Sequence, residues 1–221
     1  MEGSRPSSSD VVLARVRDAL KDKFKLTPIR VSRPAVVIDF AGGAERWEVI
    51  PGYYSHKTND HGVWDIPAPG GNWIETSPSA HLSYVNGVNA SPAGGAKSLA
   101  RLIKTWKYSN SSLAKVSSFY LEMRAARYMR DEDAFVPFID FKRLLRRLAD
   151  SELSAMNDPT GTTSRFYAAS TENYRATAVR AMSDDAARAE AAFSDELAGN
   201  RGRAFERMNV IFPGGFPDQF Y

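Results

Sequence analysis

Apolar residues Val12, Leu13, Val16, Ala19, Leu20 and Phe24 recur at helical spacing after Asp10, which predicts an N-terminal helix capped by that carboxylate. The period then shortens. Ala35-Val-Val-Ile-Asp-Phe40 reads as a strand, Ala41-Gly-Gly-Ala44 as its turn and Trp47-Glu-Val-Ile50 as the returning strand, which Pro51-Gly52 ends. Residues 52–95 are rich in Gly, Pro, Asn, Ser and aromatics and keep no long period, as in a segment that wraps over a sheet or lines a ligand cleft. Four helical segments are predicted beyond it: Ala96–Tyr108, Ser111 or Ser112 to Arg130, Asp140–Ala155, and Ser170–Asn209 with a break near Gly199–Gly202. The tail IFPGGFPDQFY has no helical character, and residues 1–9 read as a polar, mobile leader. The outline is a mixed α/β (α+β) chain, with a small α/β part over 10–95 followed by a helical lobe over 96–221.

The 221 residues, 43% apolar and 25% charged, suffice for a buried core and argue against general disorder. No apolar run reaches the roughly 18 residues that span a bilayer, and MEGSRPSSSD lacks the apolar core of a secretion signal. The absence of cysteine excludes disulfide scaffolds, thiolate zinc sites and cysteine nucleophiles. The cytoplasm is the expected compartment, with no membrane partner. Net charge is only +3 but is unevenly spread: residues 61–130 carry 8 Lys/Arg against 3 Asp/Glu, whereas 131–221 carry 11 against 15. A local positive excess of this kind suits a phosphate-bearing ligand.

Three places could carry chemistry. Glu48 lies on the opposite face of its strand from Trp47 and Val49, where it is either a solvent-facing carboxylate or a metal ligand aimed into a cleft. Lys104 and Lys107 are three residues apart on one helix, with Arg101 three before Lys104. Such a stripe is either a solvated face or a clamp for phosphate oxygens. In Ser117-Ser-Phe-Tyr120, a hydroxyl that can donate to phosphate stands beside aromatics that either pack in the core or stack on a base. His56, His61 and His81 have neither zinc spacing nor a serine-hydrolase elbow near them.

Taken in order, Glu48 and Pro51, the loop with Gly70 and Gly71, Asn72-Trp-Ile-Glu-Thr-Ser-Pro78, His81, Asn89, Leu99–Lys107, Ser117–Glu122 and Asn209–Pro217 resemble the bacterial cGAS/DncV-like nucleotidyltransferases. These are the SMODS-type members of the polymerase-β-like superfamily, and the resemblance covers roughly residues 10–217. It implies a partial polymerase-β-like nucleotidyltransferase core followed by a helical lobe. Relatives join nucleoside triphosphates, with release of pyrophosphate, into cyclic second messengers that trigger effectors in anti-phage defence. Carried over, Glu48 matches the third metal-binding, catalytic carboxylate, where aspartate is usual, and the cofactor implied is Mg²⁺ or Mn²⁺. Lys104 matches the lysine that holds the triphosphate, with Lys107 its neighbour. Ser118 and Phe119 match a serine–aromatic pair that contacts phosphate and stacks on the donor base, and Trp73–Pro78 matches a cleft-shaping loop. An effector or regulatory protein is the further partner implied.

The family's earlier strand, a Gly-Ser loop followed by an acid-x-acid pair, has no counterpart upstream of Glu48. Asp39 stands alone in its strand, and although Gly3-Ser4 followed by Ser9-Asp10 could be a remnant of that motif, Asp10 reads better as a helix cap. Two-metal phosphoryl transfer needs several carboxylates, since Mg²⁺ demands near-octahedral oxygen ligands. The chain is therefore expected to lack the N-terminal catalytic segment and to turn over poorly. The alternative is a catalytically inactive homologue that holds nucleotide or RNA.

Overall fold

A computed structural model describes residues 4–214, and in it the chain divides into two compact units. One runs through Ala80 and takes in Thr160–Ser164; the other takes His81–Pro159 and the chain from Arg165 on.

The first unit opens with helix α1 (Ser9–Lys23), followed by β1 (Ile29–Ser32), β2 (Ala35–Phe40) and β3 (Glu45–Val49). These strands form an antiparallel sheet in the order β1-β2-β3, with Ile38 opposite Ile29 on one side and Trp47 on the other. Val36 and Ile38 pack with Ile29 and with Leu13 of α1, a helix stripe covering one sheet face. The turn before β3 needs left-handed backbone, and Gly42 and Gly43 supply it at φ 68° and 98°. The cap of α1 differs from the sequence expectation. Ser8 is the N-cap, its hydroxyl accepting from the Asp10 amide, while the Asp10 carboxylate accepts from Arg33 at 2.6 and 2.9 Å. The guanidinium offers the Asp10 carboxylate two donors and an opposite charge, whereas a cap would offer it backbone amides alone.

The aperiodic segment 52–95 also holds more regular structure than its pattern predicts. It contains a second antiparallel sheet, β4 (Tyr53–Thr58), β5 (His61–Pro67) and β6 (Trp73–Thr76), and then helix α2 (Pro78–Asn89). A register shift between Tyr54 and His56 breaks the alternation that would have revealed the strands. Arg5 pairs with Asp65 at 2.8 Å and the Pro6 carbonyl accepts from Trp73 Nε1, so the described part of the polar leader is tied to this sheet.

The second unit contains α3 (Ala96–Ser109), α4 (Ser118–Arg130), α5 (Pro137–Asp150), the two-residue strands β7 (Met156–Asn157) and β8 (Arg165–Phe166), α6 (Glu172–Leu197) and α7 (Arg201–Ile211). In α3, Leu99, Ile103 and Trp106 are fully buried at positions i, i+4 and i+7; burial of Leu99 and Ile103 contributes about 1.5–3 kcal/mol each. Gly95 begins α3 at φ 75°, and a Cβ there would overlap the Phe135 ring, so the start of α3 requires glycine. Helix α4 begins later than its apolar spacing predicts. Ser111–Leu113 form a 3₁₀ turn instead, and Ser117 caps α4 by accepting from the Tyr120 amide. Helix α5 begins earlier, with Pro137 in its first turn and Asp140 accepting from the Val136 amide. From residue 215 on, the tail and the end of the Asn209–Pro217 motif lie outside the described residues, as do residues 1–3 of the leader.

Asp185 of α6 locks α3 in place. It is 3% exposed and accepts from Trp106 Nε1 (2.9 Å), Asn110 Nδ2 (3.3 Å) and Arg188 (2.7 Å). Asp185→Ala leaves buried donors unpaired and should destabilise this unit by about 2–4 kcal/mol, read as a lower urea midpoint. Asp185→Asn, which keeps an acceptor, should lose less than half as much; an unchanged midpoint in the alanine variant would refute the lock.

Candidate functional site

The residues singled out in the sequence fall into two groups, one in each unit. In the helical unit α3 ends with Lys107 and Tyr108 one turn past Lys104, while the first residues of α4 are Ser118 and Phe119. Amphipathic spacing dictates the pairing. The stripe of Leu99, Ile103 and Trp106 is committed to the core, so the adjoining positions 104 and 107 lie along its border.

Lys107 is the unusual member, at 6% exposed. Its Nζ donates to Ser118 Oγ at 3.1 Å and lies 4.4 Å from the centre of the Tyr108 ring. The Tyr108 hydroxyl is also 3.1 Å from Ser118 Oγ. Among the described residues, then, its partners are a hydroxyl and a ring, neither of which carries a negative charge. A buried ammonium so partnered keeps donor capacity for an anionic oxygen, and it stands at the N-terminus of α4, where unpaired amides favour negative charge. Lys104 is differently placed: half-buried and ion-paired with Glu122, one turn into α4. Glu122 thus occupies the cation that the sequence resemblance assigns to a triphosphate.

Beside this pair, Phe119 is 39% exposed and packs edge-on against two rings, His81 of α2 (5.0 Å) and Phe166 of β8 (4.9 Å). Sequence reasoning named Lys104, Lys107, Ser118 and Phe119, but not Tyr108, Glu122, His81 or Phe166 as their partners. Glu122 carried a signal, lying four residues after Ser118 on the same helix face. His81 and Phe166 carried none, because they reach Phe119 only through the fold.

Glu48 belongs to the other unit. It is exposed on β3, at the end of the strand order, opposite Val37. Arg46, two residues before it, shares its face. Arg46 and Arg30 hold Asp39 at 2.8 and 3.1 Å. The bonded Arg46 guanidinium keeps the Asp39 carboxyl below the usual carboxylate range, and Arg30 adds to the effect. Asp39 is thus bound to arginines on both sides. Among the described residues no group of three or more His, Cys, Asp or Glu is placed to hold a metal ion. The donors around Glu48 therefore do not fit the Mg²⁺ or Mn²⁺ centre expected from the sequence, because one free carboxylate cannot supply an octahedral cage.

No protein-family model and no curated protein matches the sequence. Solved structures do. CdnC of E. coli MS115-1, in a structure with ATP, aligns over 95% of this chain and 74% of its own at 19% identity and a TM-score of 0.68. In its complex with HORMA-deltaN the values are 97%, 75%, 18% and 0.70. The cyclic AMP-GMP synthase DncV of Vibrio cholerae, with the linear intermediate pppA(3′,5′)pG, aligns over 92% of this chain and 59% of its own at 12% identity and a TM-score of 0.70. No helix among the described residues is long and apolar enough to cross a membrane. The chain has the mixed α/β fold of the bacterial proteins CdnC and DncV.

Proposed function

We propose that this chain binds a nucleoside triphosphate in the manner of the cyclic-oligonucleotide synthases, and by itself transfers nucleotidyl groups weakly or not at all. The observation that carries the binding half is Lys107, a buried cation whose partners are Ser118 Oγ and the Tyr108 ring, at the first turn of α4. Phosphate oxygens entering there would supply the missing negative charge. Lys104 would turn from Glu122 to join them, and Phe119 would offer its open surface to the base. Support for the class comes from the shared fold with DncV, a cyclic AMP-GMP synthase, and with CdnC, solved with ATP. The complex of CdnC with HORMA-deltaN supports a protein partner as regulator.

The second half rests on the carboxylates. Glu48 is the residue proposed for a catalytic metal site, yet the neighbouring Asp39 is held by two arginines. Metal-dependent transfer would need carboxylates beyond those described, which favours a nucleotide- or RNA-binding homologue over a complete synthase. Any product that did form would belong to the second messengers of anti-phage defence.

Incubation of the chain with four labelled nucleoside triphosphates and Mg²⁺ or Mn²⁺, alongside a direct binding titration, tests both halves. The expected result is binding without phosphatase-resistant product. Lys107→Ala and Phe119→Ala should each weaken binding about tenfold, and Glu48→Ala should leave it unchanged. A product that vanishes in Glu48→Ala and Lys104→Ala would instead show a complete active site, and absence of binding would defeat the nucleotide reading. Glu122→Gln releases Lys104 and should tighten binding by about two- to fivefold at low salt, less at high salt. Weaker binding in that variant would mean that Glu122 orients Lys104 and does not compete for it.

A further inference from the structure

A phenylalanine serves as a platform for a base only if something fixes the tilt of its ring, and for Phe119 the structure shows what does so. Phe119, His81 and Phe166 form a triangle of edge-to-face rings, with His81 and Phe166 5.3 Å apart. Ring packing alone leaves each member some freedom, but His81 has a second tether. It is 4% exposed and, with its proton on Nε2, donates to Asp158 Oδ2 at 3.3 Å; the Asp158 side chain is 1% exposed. Removing Asp158 would strand the buried imidazole without water, so the imidazole plane is set by Asp158.

The origin of these groups makes the arrangement a unit. Asp158 directly follows β7, and Phe166 belongs to its partner strand β8. The Ala168 carbonyl, two residues past β8, accepts from the Ser117 amide at 2.8 Å. One short hairpin therefore contacts α2 through His81 and the cap of α4 through Ser117, two residues before Phe119.

We infer that the His81–Asp158 pair positions Phe119 and thereby sets the base-dependent part of nucleotide affinity without touching the nucleotide. The inference rests on the nucleotide-binding reading above. It differs from a general structural role in one measurable respect. A loosened α4 would disturb Lys107 and Ser118 as much as Phe119, whereas a mistilted Phe119 would weaken only the hold on the base.

Affinities of the full chain for the nucleoside triphosphates and for inorganic tripolyphosphate, measured by calorimetric titration, separate the two. Asp158→Ala should lose about tenfold in nucleoside triphosphate affinity, with tripolyphosphate affinity held within about twofold. Asp158→Asn, whose amide oxygen still accepts from His81 Nε2–H, should behave as the unmodified chain does. Should Asp158→Ala fail to fold, His81→Gln keeps a donor toward Asp158, removes the ring and carries the same expectation. Equal losses for both ligands, or undiminished nucleoside triphosphate binding, would overturn the positioning role while leaving the nucleotide reading intact. An unmodified chain that binds no nucleoside triphosphate, or none better than tripolyphosphate, would overturn that reading and the inference with it.

Discussion

Burying the Lys107 ammonium carries a desolvation cost of several kcal/mol that only well-placed partners can offset, and the helical unit is arranged around supplying them. Ser118, the first residue of α4, supplies one of them, its hydroxyl accepting from the Lys107 ammonium. Tyr108 must follow directly at the end of α3 for its ring to meet the same ammonium. Those two contacts tie the end of α3 to the start of α4. Asn110 helps to hold it, its side chain accepting from the Ser112 amide while its Nδ2 reaches Asp185. Asp185 in turn receives Trp106 Nε1, so the polar end of α3 and its buried stripe share one anchor on α6.

The two units differ in how their charges are satisfied. In the sheet unit the carboxylate of Asp39 is held by two guanidinium groups, with which a cation would have to compete. In the helical unit the balance is reversed: one lysine has neutral partners and a second is held by a half-buried glutamate. Anionic ligands find vacancies of charge in the second unit, whereas cations find a competitor in the first. Under the proposed nucleotide-binding reading, that contrast is what would separate holding a polyphosphate from performing chemistry on it.

Much of this was legible in the residue pattern. The hairpin around Ala41-Gly-Gly-Ala44, the helix from Ala96 and the break near Gly199 follow from local periodicity and turn chemistry, and the structure places all three there. The strands between Tyr53 and Thr76 were hidden because their register shift and exposed faces leave no clean alternation. The true α1 cap is not legible in the sequence, because Asp10 is as good a local acceptor as Ser8 until the fold brings Arg33 from 23 residues away.

The same division governs the candidate site. By itself the sequence determined which groups are available: lysines at helical spacing, a serine–phenylalanine pair, one strand carboxylate, and no cysteine. Side-chain chemistry and helical spacing are local properties, so they can be read without the fold. Only the tertiary structure decided that Lys107 is the buried cation and that Lys104 is held by Glu122. It alone decided that Asp39 is occupied and that His81, Asp158 and Phe166 converge on Phe119. Burial and pairing depend on groups as distant in the chain as His81 and Phe166, and the strength of a charge is set by what surrounds it in space.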